Sequence, residues 1–283
     1  MLTDYRTVFE KVESALVQAA AQNAPEENVR ANLARFKYIE TKIFSDDDYF
    51  RVLIYVPFYS GFRAETVNQR ISVIQKYFSD YSTVSGYDDG VARKILDDPQ
   101  MIRHSGKVYA SIENAQTFRS IVNQYGSFQT FIDSFTPKAS FDNLMRLRQE
   151  LRSRFRYLGK TTVYHFLTDI GMPVLKPDRV IRRIFFRLGL IDSEDETEEL
   201  LLRAVIQGHQ FSQATGHPMR YIDIVFVTYG QVKSEDFGIE RGICLKDNPQ
   251  CSLCGVTEDC RYFAGELSGS INQDLYKWDG SRR

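Results

Sequence analysis

The chain has 283 residues, of which 43% are hydrophobic and 26% charged, a globular composition long enough for one large or two ordinary domains. No apolar run reaches the roughly 18–20 residues that span a bilayer, and residues 1–20 lack the apolar core of a signal peptide. The net charge of -1 gives no overall basic field. Only the stretch from Arg146 to Arg187 is locally basic. It can face a phosphate backbone, although a solvated helix face is the more common cause.

Helical spacing dominates the chain, and no long alternation of β-branched and polar residues predicts a strand. Residues 48–60 form an apolar helix that should kink or end near Pro57. A break at Tyr157-Leu158-Gly159 separates two later helices. We therefore predict an all-α protein. The other predicted helices are 66–80, 101–118, 141–156, 160–170, the segment after Asp178, and 219–232; the tail from about 265 is polar.

Two helices around Gly159 form the first candidate site. In LRSRFRYLGKTTVYHFLTDIG the glycine supplies a permissive backbone for a tight turn. The N-terminus of the following helix offers N–H groups to a phosphate, and Lys160, Thr161 and Thr162 add donors. Helix–turn–helix pairs are also common packing units, so the pattern alone allows either function.

Asp178 is the second candidate. It follows Lys176 and Pro177 and precedes the helix VIRRIFFRL, where an aspartate caps the helix by accepting early N–H groups. The same geometry allows a carboxylate to face a flipped nucleotide. There it would stabilise positive charge on the sugar as a base leaves, or orient a water molecule against C1′.

All the cysteines of the chain lie in one segment, GICLKDNPQCSLCGVTEDCRYF, with the spacing C-x6-C-x2-C-x5-C. Disulfides would require an oxidising compartment, for which the sequence carries no signal. Soft thiolates select an iron–sulfur cluster or zinc, and zinc usually takes two close pairs separated by a longer loop. The segment therefore predicts a metal centre of one of these two kinds. The candidate ligands are Cys244, Cys251, Cys254 and Cys260.

From about residue 48 to 263 the chain resembles the helix-hairpin-helix (HhH-GPD) DNA glycosylase superfamily, in the order apolar helix, hairpin, aspartate, cysteine loop. LGKTTVYHFLTDIGMPVLKPDRVIRRI is similar to the corresponding segment of endonuclease III, which implies that Asp178 is the catalytic aspartate. The cysteine loop resembles that branch too, which implies a [4Fe–4S] cluster rather than zinc. DPQMIRHSGKVYASIENAQTF and FRYLGKTTVYHF resemble 3-methyladenine DNA glycosylase I, a family that carries zinc and no cluster.

The resemblance leaves open whether the enzyme also cuts the strand. Bifunctional members attack the sugar with a hairpin lysine and form a Schiff base. Counting back from Asp178 places Lys160 at that lysine. Aligning on Gly159 places Thr161 there instead and makes Lys160 a phosphate ligand. We prefer the glycine alignment, because the hairpin is the more rigid landmark, and so predict a monofunctional enzyme.

The base pocket departs from both relatives. LIYVPFYSGFRAETVN aligns with the helix and loop that fill the flipped-out space in endonuclease III, and Gly61 stands where that enzyme has its glutamine. Phe62 or Arg63 is therefore the predicted wedge and DNA contact. Aromatic residues on an apolar helix are usually core, but here they are also candidates for stacking on an extruded base. The predicted stacking residues are Tyr55, Phe58 and Tyr59.

These features together predict a two-lobed, all-α helix-hairpin-helix DNA glycosylase with a C-terminal [4Fe–4S] cluster loop. One lobe, residues 45–170, is a six-helix barrel ending in the hairpin. The other combines 1–44 with 171–283 and carries the cluster. Double-stranded DNA with a modified or damaged base would lie in the cleft. Tyr157 and its neighbours in the hairpin would hold phosphate, and Asp178 would assist N-glycosidic hydrolysis.

Other functions fit the same sequence. The alternatives are a bifunctional glycosylase/AP lyase using Lys160, a non-catalytic iron–sulfur DNA-binding module, and a redox-sensing iron–sulfur protein. The substrate base is open, with alkylated purines favoured by the 3-methyladenine-like stretches. We further expect a monomer with no membrane partner. Its location would be cytoplasmic, at the bacterial nucleoid, or nuclear in a eukaryote. His104 and His165 should face solvent or satisfy a local hydrogen bond.

Overall fold

The computed structural model describes residues 4–62 and 64–267, and within these ranges the chain is helical, as predicted. No strand forms there; the β pairing is an isolated bridge between Ser234 and Ile239. None of the helices in these ranges is long and apolar enough to cross a bilayer. In chain order the helices are α1 (Tyr5–Ala20), α2 (Glu26–Ala34), α3 (Asp46–Tyr59), α4 (Ala64–Asn68), α5 (Ile71–Tyr77), α6 (Tyr81–Val84), α7 (Asp89–Asp97), α8 (Ser105–Tyr125), α9 (Phe128–Asp133), α10 (Phe141–Arg154), α11 (Thr162–Asp169), α12 (Arg179–Arg187), α13 (Glu198–Thr215) and α14 (Met219–Gly230). Short 3-10 turns lie at Arg35–Lys37, Ile39–Thr41, Glu235–Phe237 and Cys251–Leu253.

The helices divide between two compact units. Unit 1 contains residues 1–39 and 174–283, and unit 2 contains residues 40–173. The hairpin and the predicted wedge therefore belong to unit 2. Asp178 and the cysteine loop belong to unit 1.

The core of unit 2 is aromatic. Phe118 of α8 stacks on Phe128 of α9 with ring centroids 4.4 Å apart, and Phe50 of α3 meets Phe118 edge-on at 5.7 Å. All three rings are fully buried, and each contributes roughly 1.5–3 kcal/mol by leaving water. Helix α11 packs against α3 and α10, so this core also fixes the helices that form the hairpin.

Helix α3 has both ends set by local sequence. Ser45 and Asp48 form a capping box, in which each side chain accepts the backbone N–H of the other. Pro57 lies in the last turn and α3 ends at Tyr59, which confirms the expected end near this proline. Gly61 follows with φ +81°, a left-handed conformation that glycine adopts at little cost.

A second aromatic core lies in unit 1, among α1, α12, α13 and α14. Phe211 meets Phe226 with centroids 4.9 Å apart, and Phe185 meets Phe226 edge-on at 5.2 Å. Gly230 lets α12 and α14 approach closely, because a Cβ there would lie 2.7 Å from Val180 Cγ1. Helix α12, which Asp178 caps, is thereby fixed against α14.

Candidate active site and metal centre

The hairpin turn between α10 and α11 takes its left-handed residue from Tyr157, with φ +64°, and Gly159 has no positive φ. This corrects the expectation that the glycine provides the turn. The Thr162 hydroxyl donates to the Tyr157 carbonyl and accepts the Gly159 N–H, both at 2.6 Å. Asn114 of α8 makes two more hydrogen bonds, to the backbone N–H and carbonyl of Arg156. These bonds offset the cost of a left-handed tyrosine, on the order of 1 kcal/mol.

The predicted phosphate-binding residues lie at the accessible start of α11. Tyr157 is 39% exposed, Gly159 and Lys160 are exposed, and Thr161 and Thr162 are half-buried. The N-terminus of a helix carries partial positive charge and N–H groups directed outward. Lys160 adds a full positive charge at the same end, so an anion placed there would meet both.

The basic stretch from Arg146 to Arg187 contains both buried and exposed basic residues. Arg182, Arg183 and Arg187 of α12 are buried, with guanidinium groups directed at backbone carbonyls of unit 1. Arg148 of α10 is buried too, and its guanidinium lies 4.5 Å from the Tyr164 ring centroid. Neither a phosphate-facing surface nor a solvated face describes these four, which corrects the sequence interpretation. The exposed basic residues of the stretch include Arg146, Arg154, Arg156, Lys160 and Arg179.

The predicted wedge follows the end of α3. Phe62 is half-buried, and Arg63 lies outside the described residues. The Lys107 ammonium lies 4.3 Å from the Phe62 ring centroid, and the His104 ring meets Phe62 edge-on at 6.3 Å. The start of α8 therefore supports the aromatic ring at this position.

The predicted stacking residues differ in exposure. Phe58 is fully buried and packs on Phe78, so its ring belongs to the core. Tyr55 and Tyr59 are half-buried, and burial raises the pKa of Tyr55. The Tyr59 hydroxyl donates to Asn68 Oδ1 at 2.6 Å. Of the three residues, only Tyr55 and Tyr59 have accessible surface on which a base could stack.

Both histidines considered in the sequence satisfy local interactions, as expected. His104 caps α8, with Nδ1 accepting the Lys107 N–H at 3.3 Å. His165 Nε2 lies 3.1 Å from Asp169 Oδ2, and its ring lies 6.4 Å from that of Tyr59. No role was assigned to His165 from the sequence. The i,i+4 spacing between His165 and Asp169 could have predicted their contact, because it places both residues on one face of α11.

Asp178 caps α12 through one carboxylate oxygen. Its Oδ1 accepts the N–H groups of Val180 at 2.8 Å and Ile181 at 3.1 Å. Its Oδ2 lies 3.9 Å from Lys176 Nζ. The side chain is 24% exposed, so the carboxylate is fixed by the helix and still reaches solvent. The backbone before it is held as well, since Asp223 Oδ1 accepts the Lys176 N–H at 2.8 Å.

The cysteine loop is anchored to the end of α14. The N–H groups of Ile243 and Cys244 both donate to the Tyr229 carbonyl, at 2.8 and 3.0 Å. Gly242 makes this approach possible, because a Cβ there would lie 1.9 Å from the Gln231 carbonyl oxygen. The loop therefore begins at a fixed point of the helix.

Donors from α12 and α14 reach the sulfur atoms. The Tyr229 hydroxyl donates to Cys254 Sγ at 3.0 Å, and Arg187 Nη1 donates to Cys244 Sγ at 3.4 Å. Burial, reinforced by the neighbouring cysteines, raises the pKa of Cys251 to about 12. Burial raises the pKa of Cys254 and Cys260 as well. All four cysteines are half-buried.

No set of three or more His, Cys, Asp or Glu side chains in residues 4–62 and 64–267 is gathered around a single metal-ion position. Two buried cations, Arg183 and Arg187, adjoin the loop. Arg183 Nε donates to the Cys244 carbonyl at 3.1 Å, and Arg187 donates to the carbonyls of Leu245 and Lys246 at 2.7 and 3.0 Å. The residues around the thiols can thus balance negative charge there.

Known proteins match this chain over its helical part. The methyladenine glycosylase family matches residues 40–176, ending two residues before Asp178 and excluding the cysteine loop. An 8-oxoguanine glycosylase/lyase of Methanocaldococcus jannaschii, solved with DNA containing 8-oxoguanine, is 17% identical with a TM-score of 0.51, over 77% of this chain and 94% of that one. The 8-oxoguanine DNA glycosylase of Thermotoga maritima is 16% identical with a TM-score of 0.48, over 77% and 95%. The chain is thus similar to the methyladenine glycosylase family over residues 40–176, and its all-helical fold is similar to that of the archaeal enzyme.

Proposed function

We propose that this protein is a DNA N-glycosylase that releases an aberrant base from duplex DNA by hydrolysis, and that Asp178 assists the reaction. The observation that carries the proposal is that the two oxygens of the Asp178 carboxylate have different partners. Oδ1 is held by two backbone N–H groups, whereas Oδ2 accepts neither of them. One carboxylate oxygen is therefore held by the helix cap, and the other is left for the substrate.

The chemistry follows from that placement. The bond between C1′ and the base nitrogen breaks, and its electron pair leaves with the base, which takes up a proton. Positive charge builds on the sugar, and the Asp178 carboxylate stabilises it. A water molecule adds to C1′ and gives up a proton, with Asp178 orienting it or accepting the proton. The products are a free base and an abasic site.

The DNA partner would be held by unit 2. The exposed hairpin residues Gly159 and Lys160 would bind backbone phosphate, and Phe62 would occupy the space that the flipped nucleotide leaves. Base stacking on Tyr55 or Tyr59 would contribute roughly 1–3 kcal/mol. The methyladenine glycosylase match favours an alkylated purine. The archaeal neighbour acts on 8-oxoguanine, so duplexes carrying each lesion belong in one base-release screen.

We propose a monofunctional enzyme, because the glycine alignment puts Thr161 rather than Lys160 at the hairpin position of a lyase nucleophile. A threonine hydroxyl cannot form a Schiff base with an abasic sugar, whereas a lysine amine can. Borohydride reduction during turnover distinguishes the two. Monofunctional cleavage yields no covalent enzyme–DNA adduct, and an adduct that disappears in Lys160→Gln would identify Lys160 as the nucleophile.

The substitution Asp178→Asn tests the catalytic role. Asparagine still caps a helix, so the fold should persist while the carboxylate charge is lost. Base release in single turnover should fall by about 10²-fold or more, with duplex binding retained. Asp88→Asn is the matched control, since the Asp88 side chain also caps a helix, accepting the Val91 N–H at the start of α7. Undiminished release by Asp178→Asn would leave the aspartate as a helix cap only and would favour the non-catalytic DNA-binding alternative.

We also propose that the four cysteines hold a [4Fe–4S] cluster. Each iron of a cluster takes one thiolate, so the ligands are spread more widely than around a single zinc ion. The sulfur-directed donors Tyr229 and Arg187 and the buried charge of Arg183 suit an anionic sulfur-rich centre. When bound, the cluster would supply structural bracing and a tuned negative charge, and no step of the hydrolysis needs it.

Metal analysis of the protein as purified tests this. We expect iron and acid-labile sulfide in equal amounts, with a broad visible charge-transfer absorbance that is lost in Cys254→Ser. Cys254 is the informative position because the Tyr229 hydroxyl donates to its sulfur. Stoichiometric zinc without iron would overturn the cluster and leave the glycosylase proposal intact.

A further inference from the structure

The first turn of α8 contains a buried lysine. Lys107 is 3% exposed, and its ammonium donates to the Ser60 carbonyl. The same ammonium lies 4.3 Å from the centroid of the Phe62 ring. Ser60 and Phe62 flank Gly61, whose φ is +81°. One cation therefore contacts both sides of the three-residue loop 60–62.

Lys107 has no carboxylate partner among the residues that the structure describes. Burying an unpaired ammonium is costly unless other groups replace its water. A carbonyl oxygen and an aromatic face are the groups that do so here. The desolvation also lowers the pKa of Lys107 to about 8. A neutral side chain could fill the same volume without this cost, so the charge points to a task at the loop.

The loop is continuous with the hairpin. The His104 ring meets Phe62 at 6.3 Å and Tyr157 at 6.2 Å, edge-on in both cases. The approach of α8 to the hairpin is close as well, since a Cβ on Gly106 would lie 2.6 Å from the Tyr157 hydroxyl. The start of α8 thus lies between the predicted phosphate-binding turn and the predicted wedge.

We propose that Lys107 is a positioning residue that holds the loop 60–62 in the conformation in which Phe62 enters DNA. The ammonium fixes the Ser60 carbonyl on one side of Gly61 and the Phe62 ring on the other. Because glycine has a wider range of backbone conformations than other residues, the loop without this cation would sample more of them, and Phe62 would be presented less often. This role rests on the proposed function, in which Phe62 fills the space of the flipped nucleotide.

The test uses Lys107→Met, which keeps most of the side-chain length and removes the charge. The matched control is Lys76→Met, because Lys76 Nζ also lies over a ring, 4.6 Å from that of Tyr77, but is exposed and pairs with Asp98. The probe is a duplex with a tetrahydrofuran abasic-site analogue and 2-aminopurine beside it, whose fluorescence rises when a wedge disturbs its stacking. Base release from a lesion duplex is measured in single turnover.

We expect Lys107→Met to lose most of the 2-aminopurine signal and to release base about tenfold to a hundredfold more slowly. Affinity for undamaged duplex should change less than about twofold, because phosphate contacts dominate it. Lys107→Arg should recover part of the signal, since a guanidinium also donates hydrogen bonds and lies over rings. Lys107→Gln, which keeps a donor, gives the same comparison if the Met variant does not fold.

Two results would contradict the proposal in different ways. A parental 2-aminopurine signal and parental release in the Met variant, or in the Gln variant if the Met variant does not fold, would show that Lys107 does not position the wedge. A parent protein that gives neither signal nor base release from any lesion duplex would instead overturn the proposed function, and with it this role.

Discussion

Arg183 offers the sharpest stability prediction, because it joins α12 to two other parts of unit 1. It is 8% exposed, and its Nη2 donates to the Gly230 carbonyl at 2.6 Å while Nε donates to the Cys244 carbonyl at 3.1 Å. The change Arg183→Met keeps most of the stem volume and removes both donors. Arg179→Met is the matched control, since Arg179 is an exposed arginine of the same helix.

The magnitude follows from the two carbonyls that would be left without this donor. Each buried acceptor that loses its partner costs about 1–3 kcal/mol. Removing the guanidinium also removes its own desolvation cost, an opposing effect whose direction appears in the burial-lowered pKa of Arg183. We therefore expect a net loss of about 3 kcal/mol in the free energy of unfolding of unit 1. The control should change it by less than about 0.5 kcal/mol.

Urea unfolding followed by far-ultraviolet circular dichroism measures the difference, with the two compact units fitted as separate transitions if two appear. Arg183→Met should lower the midpoint of the unit 1 transition and leave that of unit 2 in place. A loss below about 1 kcal/mol, or one equal to that of Arg179→Met, would refute the view that this arginine ties the loop to the helix.

Two further predictions concern charge. Lys160→Gln should lower the salt dependence of duplex binding, reducing the slope of log K against log salt by about 0.9 if one phosphate contact is lost; an unchanged slope would remove Lys160 from the interface. His209 is partly buried, and burial lowers its pKa below the ordinary 6.5. Its neutral form therefore stabilises the fold above that pH, and the contribution is lost as the pH falls through the lowered value. His209→Gln should flatten the fall in unfolding free energy between pH 7 and 5, and the remaining slope includes His217, whose pKa burial also lowers.

Helical periodicity was enough to predict an all-α chain, and Pro57 was enough to predict where α3 ends. The hairpin turn was harder. The sequence favoured Gly159 as the left-handed residue, since glycine has the smallest penalty, yet Tyr157 takes that conformation. Its strain is offset by the Thr162 hydroxyl and by Asn114, which comes from α8. Asn114 lies 42 positions from its partner Arg156 along the chain, and a contact at that separation cannot be inferred from a local pattern.

Buried charge was the other feature hidden from sequence. Lys107, Arg183 and Arg187 look like solvated residues, because charged side chains are mostly exposed. Their burial depends on carbonyls supplied from 47 to 58 residues away, such as Ser60 for Lys107 and Leu245 for Arg187. The apolar residues around these charged residues have helical spacing whether the charged side chain faces water or a backbone turn. The hydrophobic pattern alone therefore could not distinguish a buried charged side chain from a solvated one.

Helix α12 suggests why a cysteine loop and a catalytic carboxylate would be found together. Asp178 begins this helix, and Arg183 and Arg187 hold the loop from its second half. A nine-residue helix is about 13 Å long, so a displacement at one end would be carried to the other. Loosening the loop would let the end of α12 move and, through the helix, the Asp178 carboxylate. We therefore expect loss of the cluster to lower the single-turnover rate of base release per folded molecule, and an undiminished rate per folded molecule would contradict this coupling.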